Sequence, residues 1–219
     1  MTIETASTKA YSMAKGKPTP PAVGTTKYNQ LLLEADTLTK LWAAEPSIQW
    51  NSLYARTSCG TLGAVSSKAL DATINYVIKS ENDPIYVVNN GARTDLNVVT
   101  PDQLYLTRGS NTIALAGRNL IFNEALTADS PLFGGTLYVP SLLYPTDITT
   151  ASQSIQVDDP MWLVYMMAAE FVRNDLVRQN QYPSLINYAQ ESMKKMKENN
   201  QGSYETVITN WEPLGETWV

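Results

Sequence analysis

Apolar positions recur at helical spacing near both ends of the 219-residue chain, and between those stretches the period shortens to that of strands. The strongest helical pattern runs from Asp158 to Asn200. Asp158, Asp159 and Pro160 give a helix start, because a carboxylate accepts from free backbone N–H groups and proline at the first helical position gives up no donor that matters. Behind them Met161, Trp162, Val164, Tyr165, Ala168, Ala169, Phe171, Val172 and Leu176 follow with few polar interruptions, predicting a core helix over 159–179. A second limb over 183–200, opened by Tyr182 and Pro183, carries Leu185, Ile186, Ala189, Met193 and Met196 on one stripe. Lys194, Lys195 and Lys197 stand in its last turns, where cations suit the helix dipole, and Gly202 ends it. The connection around Asn180 is short, so the two helices are expected to be antiparallel neighbours. Upstream, Leu31, Ala35, Leu38 and Trp42 share one face of a predicted helix over 27–45, which Pro46 stops.

From about residue 49 to 145 the stretches YVIK, IYVV, LNVV, LIF and TLYV alternate with Gly, Asn, Asp and Pro. They predict a meander of hairpins turning at Asn90 and Gly91, at 109–111 and at 116–118, folded as a small antiparallel sandwich or barrel. The segment ALTADSPLFGG, 125–135, is too polar and glycine-rich for a strand and carries Leu132 and Phe133 at its tip. Exposed, the pair is a candidate contact surface; the competing reading tucks both into the sheet. Residues 1–26, rich in Thr, Ser, Ala, Lys and Pro, are expected to form a flexible arm, having too little apolar surface to offset the entropy of ordering. The expected fold class is α+β. One N-terminal and two C-terminal helices form a three-helix bundle over a single domain, 27–202, with an inserted antiparallel β module and extended N- and C-terminal arms.

Composition narrows the function. A net charge of −5 and a pI near 4.8 give no support for a basic surface that grips nucleic acid or anionic membrane. Cys59 is the only cysteine, which excludes an intrachain disulfide, and the chain contains no histidine. That removes the usual general base at neutral pH, the commonest zinc ligand and every Ser-His or Cys-His nucleophile. Phosphate-cradling glycine loops, dinucleotide fingerprints and calcium loops are absent, and Asp158 and Asp159 read as helix caps; a two-carboxylate site elsewhere stays open. No catalytic residue, metal or cofactor is expected. No run approaches the roughly 20 apolar residues of a bilayer span, and residues 1–24 lack the apolar middle of a secretory signal, so a cytosolic product without membrane contact is expected.

The stretch from Ser203 to Val219 holds Tyr204, Val207, Ile208, Trp211, Leu214, Trp218 and Val219 at irregular spacing, broken by Pro213 and Gly215. Aromatic anchors on an adaptable strand are how arms dock into grooves on other proteins. These residues, with Leu132 and Phe133, are the candidate partner-binding set; the alternative wraps the tail over its own helices.

Several motifs come in a telling order. Trp42 in the first helix is followed by an expected tryptophan-containing strand at Trp50, and the β module spans Leu53 to Tyr144, ending in the aromatic strand LYVPSLLYP. DDPMWLVYMMAAEFV and YPSLINYAQESMKKMKENN then close the helical part. In this layout the chain resembles the adaptor, or head-to-tail connector, proteins of tailed bacteriophages, over most of Lys27 to Gln201. The resemblance implies a non-enzymatic virion protein of the neck between capsid and tail, made in the host cytoplasm. It implies a homo-oligomeric ring, a dodecamer, bound to the portal protein and presenting a docking surface to the next tail or neck protein. Double-stranded DNA would pass through its lumen without specific binding, which an acidic chain suits. The alternatives are a tail-completion or stopper-type neck ring without portal contact, or a monomeric protein-binding module that uses the C-terminal arm.

Overall fold

The computed structural model describes residues 1–200, except 18, 46, 47, 49, 81, 108, 110 and 174, and a short strand near the C-terminus. Helices α1 (Ile3–Lys15) and α2 (Thr26–Ala43) open the chain. Strands β1 (Tyr54–Thr61), β2 (Ser67–Ala69), β3 (Ile74–Lys79), β4 (Tyr86–Asn89), β5 (Ala92–Asp95) and β6 (Asn97–Val99) follow. The helical turn α3 (Pro101–Leu104) leads to β7 (Thr112–Ala116), β8 (Asn119–Phe122) and β9 (Thr136–Leu143). Then come α4 (Pro160–Arg173), α5 (Tyr182–Asn200) and β10 (Val207–Ile208). The class is α+β, in two compact units: Met1–Leu53 with Tyr144–Ser203, and Tyr54–Leu143 with the segment that carries β10.

In the helical unit α1, α2 and α5 all pack on α4. Helix α4 holds that place because Trp162, Leu163, Val164, Met167, Ala168, Ala169 and Val172 are buried around most of its circumference. Its start follows the expected capping: Asp159 Oδ1 accepts from the Met161 N–H at 2.9 Å, and Oδ2 accepts from Ser192 Oγ of α5 at 2.5 Å. Asp158 accepts from Asn200 Nδ2 at 2.9 Å, tying in the far end of α5. The helix is shorter than the predicted 159–179. Beyond Arg173 the Asp175 side chain accepts from the Val177 N–H at 3.1 Å and pairs with Lys15, so a polar turn replaces the last helical turns.

The expected flexible arm over 1–26 is overturned, and with it the three-helix count. Residues 3–15 form α1, capped by Thr2 Oγ1 on the Thr5 N–H at 3.3 Å and closed by Gly16 at φ 64°, whose N–H reaches the Ser12 carbonyl at 2.8 Å. Ile3, Ala6, Ala10 and Ala14 are buried along one stripe. Alanine adds little to an apolar count, yet it has the highest helix propensity and is buried at no side-chain entropy cost. The Ile3 and Glu4 N–H groups donate to Gln153 and Ala151 carbonyls at 3.0 and 2.9 Å, and Arg178 Nη1 donates to the Ala14 carbonyl at 2.9 Å.

The β unit is organised on β9. One edge of β9 pairs antiparallel with β1 from Tyr54 opposite Leu142 to Thr61 opposite Thr136. Its other edge is shared, β3 taking Ser141 to Leu143 and β4 taking Thr136 to Tyr138. Pro140, with no N–H to offer a ladder, falls where the partner changes. The β4–β5 hairpin turns at Asn90 and Gly91, both at positive φ (47° and 79°), as a two-residue loop requires. A second sheet has the order β2-β8-β7-β6, with the β7–β8 hairpin turning at Gly117.

The purely antiparallel meander is also overturned. LNVV does not return against IYVV; β5 does, and β6 runs parallel to β7, with Asn97 opposite Thr112. Leu96 makes the transfer, buried and donating its N–H to the Ile85 carbonyl at 2.7 Å, while the Asn97 N–H goes to the Asn111 carbonyl at 2.9 Å. The turn at Gly109 therefore belongs to a crossover through α3 and not to a hairpin. Val87 and Leu137 of the first sheet share one apolar cluster with Ile113 and Leu120 of the second.

Candidate docking surfaces

Leu132, one of the expected contact residues, is 1% exposed and belongs to the core of the β unit. Its loop is clamped from both sides. Asn89 Nδ2 donates to the Pro131 and Phe133 carbonyls at 3.0 Å each, and Gly134 and Leu62 are joined by a 2.8 Å bond from the Gly134 N–H. Burial of the leucine wins over display to a partner; Phe133 beside it is partly buried.

Val207 and Ile208 form β10, antiparallel to β3 with Val207 opposite Lys79 and Ile208 opposite Ile78. Those two residues are neither an extended arm nor a wrap over the helices, because the edge of β3 offers unpaired backbone groups. Tyr204, Trp211, Leu214, Trp218 and Val219 lie outside the described residues.

Two surfaces escaped the sequence reading. Tyr105 and Leu106 follow α3 in the β6–β7 crossover and are 84% and 83% exposed. The turn that carries them is tightly bonded. The Gln103 carbonyl accepts from the Leu106 and Thr107 N–H groups at 3.0 Å each and from Thr107 Oγ1 at 3.0 Å. Asn123 Nδ2 reaches the Thr107 carbonyl at 2.5 Å, and Leu104 is buried beneath. An aromatic and an aliphatic side chain are thus held out on a fixed support, the form that interface anchors take. The signal was present in PDQLYLTRGS, whose tyrosine and second leucine fit no periodic face.

The second surface is a groove of about 480 Å³ in the helical unit, lined by Tyr11 of α1, Pro21 just before α2, Lys27, Gln30, Leu31, Leu33 and Glu34 of α2, and Phe171 and Glu170 of α4. Tyr11 and Phe171 meet edge to face, ring centroids 6.1 Å apart. Leu33, at its rim, is 66% exposed because the run LLLE winds one leucine off the buried stripe. Burial pushes the Glu34 carboxyl above its ordinary range, the Glu170 charge pushes it further, and Arg173 opposes both. Among the described residues no hydrogen-bond donor reaches the Glu34 carboxylate. The groove, which Lys27 already lines with a cation, therefore suits an apolar side chain that ends in a neutral hydrogen-bond donor.

The outer face of the β4–β5–β9 sheet is polar and aromatic, but its groups are already paired. Tyr86 stacks on Tyr138 at 5.2 Å, Arg93 lies over Tyr86 and bonds Asp95 at 2.6 Å, and Arg56 bonds Asp83 at 3.0 Å. Cys59 is buried, and burial raises its thiol pKa, which keeps it a neutral small side chain. Among the described residues no three His, Cys, Asp or Glu side chains gather as metal ligands, and no helix is long and apolar enough to cross a membrane. The chain matches no family model and no curated protein.

Proposed function

We propose that this chain is a structural, non-enzymatic protein of a phage virion: a head-to-tail adaptor ring that binds the portal, extends the DNA channel and presents a surface to the next tail component. The observation that carries the proposal is how the β unit is inserted. The first and last strands of the segment between α2 and α4, β1 and β9, pair with Tyr54 opposite Leu142, so the inserted segment begins and ends on neighbouring strands of a self-contained module. This is the layout for which the sequence resembles connector proteins. An insert closed on itself adds a second working surface without disturbing the helices that carry it. The exposed anchors at Tyr105 and Leu106 and the open groove at Tyr11 and Phe171 supply contact surfaces of the kind repeated subunits need. A net charge of −5 suits a lumen through which DNA slides, since phosphate contacts would retain it.

In the proposed ring the tail beyond Ile208, with Trp211 and Trp218, reaches the portal, where repetition turns a weak single contact into firm attachment. Co-expression with a phage portal protein tests this. Full-length chain is expected to co-purify as a ring on the portal. A chain lacking Ser203 to Val219, and a Trp211→Ala, Trp218→Ala double variant, are expected to keep the helical circular-dichroism signal and to be lost from the complex. Full incorporation of the double variant would overturn the role of the tail, and a stable one-to-one complex would replace the ring by a monomeric binding module.

A further inference from the structure

We infer that Tyr105 and Leu106 of one copy seat in the Tyr11, Leu31 and Phe171 groove of a second copy, head to tail. The contact needs no partner other than this chain and stands apart from attachment to a portal.

The two surfaces match in chemistry. Tyr105 and Leu106 leave most of their apolar surface in water on a turn fixed by hydrogen bonds, so covering them costs little ordering entropy. The groove offers about 480 Å³, inside the range of about 300–1,000 Å³ in which a pocket encloses most of a small guest. Its apolar part is two aromatic rings, two leucines and Pro21, surroundings that aromatic anchors favour, and Lys27, Gln30 and Glu170 make up the polar part of the lining. At its side stands Glu34, a carboxylate already partly removed from water and without a donor among the described residues. The Tyr105 hydroxyl supplies that donor while its ring enters the apolar part. This detail separates Tyr105 and Leu106 from the other exposed apolar pair, Leu176 and Val177, which carries no donor.

Knob and groove are different surfaces, so the contact is heterologous: each copy offers one of each, and a chain of such contacts closes into a ring or grows as a filament. This distinguishes it from a two-fold dimer, in which a single variant would damage both halves of the interface.

Sedimentation velocity on the purified full chain tests the inference with Leu106→Glu, which spoils the knob, and Leu33→Glu, which spoils the groove rim. Both positions are exposed, and unchanged thermal melts will show that both variants fold. Wild type is expected to self-associate as concentration rises. Each variant alone is expected to associate about 30-fold more weakly, the loss typical of an interface anchor. Mixed in equal amounts they are expected to form a dimer that grows no further, because one intact knob meets one intact groove. Tyr105→Phe is expected to weaken association about tenfold by leaving Glu34 without its donor. A wild type that stays monomeric at the highest concentration overturns the inference, as does a variant that associates like wild type or a mixture that stays monomeric. None of these readings involves a portal, so the inference and the adaptor proposal fail separately.

Discussion

The indole of Trp50 lies against that of Trp42, ring centroids 4.7 Å apart and 29° from parallel, while its Nε1 donates to the Trp42 carbonyl at 2.9 Å. Both rings are buried, and Trp50 stands just ahead of a 3-10 turn and not in a strand. The stack and the bond close the C-terminal end of α2, where helix carbonyls lack intrahelical donors. Burial and the bond contribute unequally, because the Trp42 carbonyl also accepts from the Glu45 N–H at 3.2 Å.

Trp50→Ala is therefore expected to destabilise the helical unit by about 3–5 kcal/mol, the range for deleting a buried aromatic side chain. Trp50→Phe keeps a ring in the stack and leaves the carbonyl one donor, so the loss should be about 1–2 kcal/mol. Urea unfolding followed by the helical circular-dichroism signal measures both. Equal losses would mean that the bond, and not the buried ring, holds the junction.

Glu34 gives a pH signature of the less common sign. Burial and the neighbouring Glu170 charge raise its folded-state pKa above the ordinary value of 4.5. The charged form is thus penalised in the folded protein: the cost is fully present above the folded pKa and disappears below the unfolded one. Glu34→Gln is expected to raise the thermal midpoint at pH 7, with the gain shrinking to nothing as pH falls below about 4. Melting curves from pH 3 to 8 check it, and a gain that grew toward acid would reverse the assignment.

The parts legible in the sequence were those in which a single side-chain period decides the structure. Helix α5 follows its stripe of Leu185, Ala189 and Met196, and α2 follows Leu31, Ala35, Leu38 and Trp42. Helix α1 was missed because its buried stripe is mostly alanine, whose contribution comes from close packing on α4 and not from apolar area. The end of α4 was missed because Leu176 continues the helical period while the Asp175 side chain diverts the backbone. Strand positions were legible from β-branched runs, but pairing was not. Tyr54 meets Leu142 across most of the insert, and β6 joins β7 in parallel, relations that no local period encodes. The surfaces divide similarly. Leu132 attracted attention as an apolar tip, yet the Asn89 clamp turns it inward, while Tyr105 and Leu106 stand out on a turn whose fixity comes from Gln103 and Asn123.

Leu132 provides a direct check on that division. As a core residue it should behave as other buried leucines do, and Leu132→Ala is expected to lower the stability of the β unit by about 2–5 kcal/mol. Leu106→Ala, at an exposed position, should stay within about 0.5 kcal/mol of wild type. Differential scanning calorimetry of the two variants separates them. A Leu132→Ala protein that melted with wild type would return Leu132 to the list of contact residues.

Gly135 has a steric requirement that the local sequence does not announce. A Cβ built there falls 2.5 Å from Val87 Cγ1 and 3.1 Å from both Asn89 Cβ and the Val88 carbonyl oxygen. The first distance is a clash, and strand β4 is held on its far side by β5, so it has little freedom to retreat. Gly135→Ala is expected to cost about 1–3 kcal/mol through overpacking. Val87→Ala in the same chain removes the closest atom but leaves the backbone oxygen where it was. The double variant should therefore lose less than the sum of the two single variants while staying less stable than wild type. A thermodynamic cycle by urea unfolding measures the coupling, and strictly additive losses would show that the side chain of Val87 is not what confines this position to glycine.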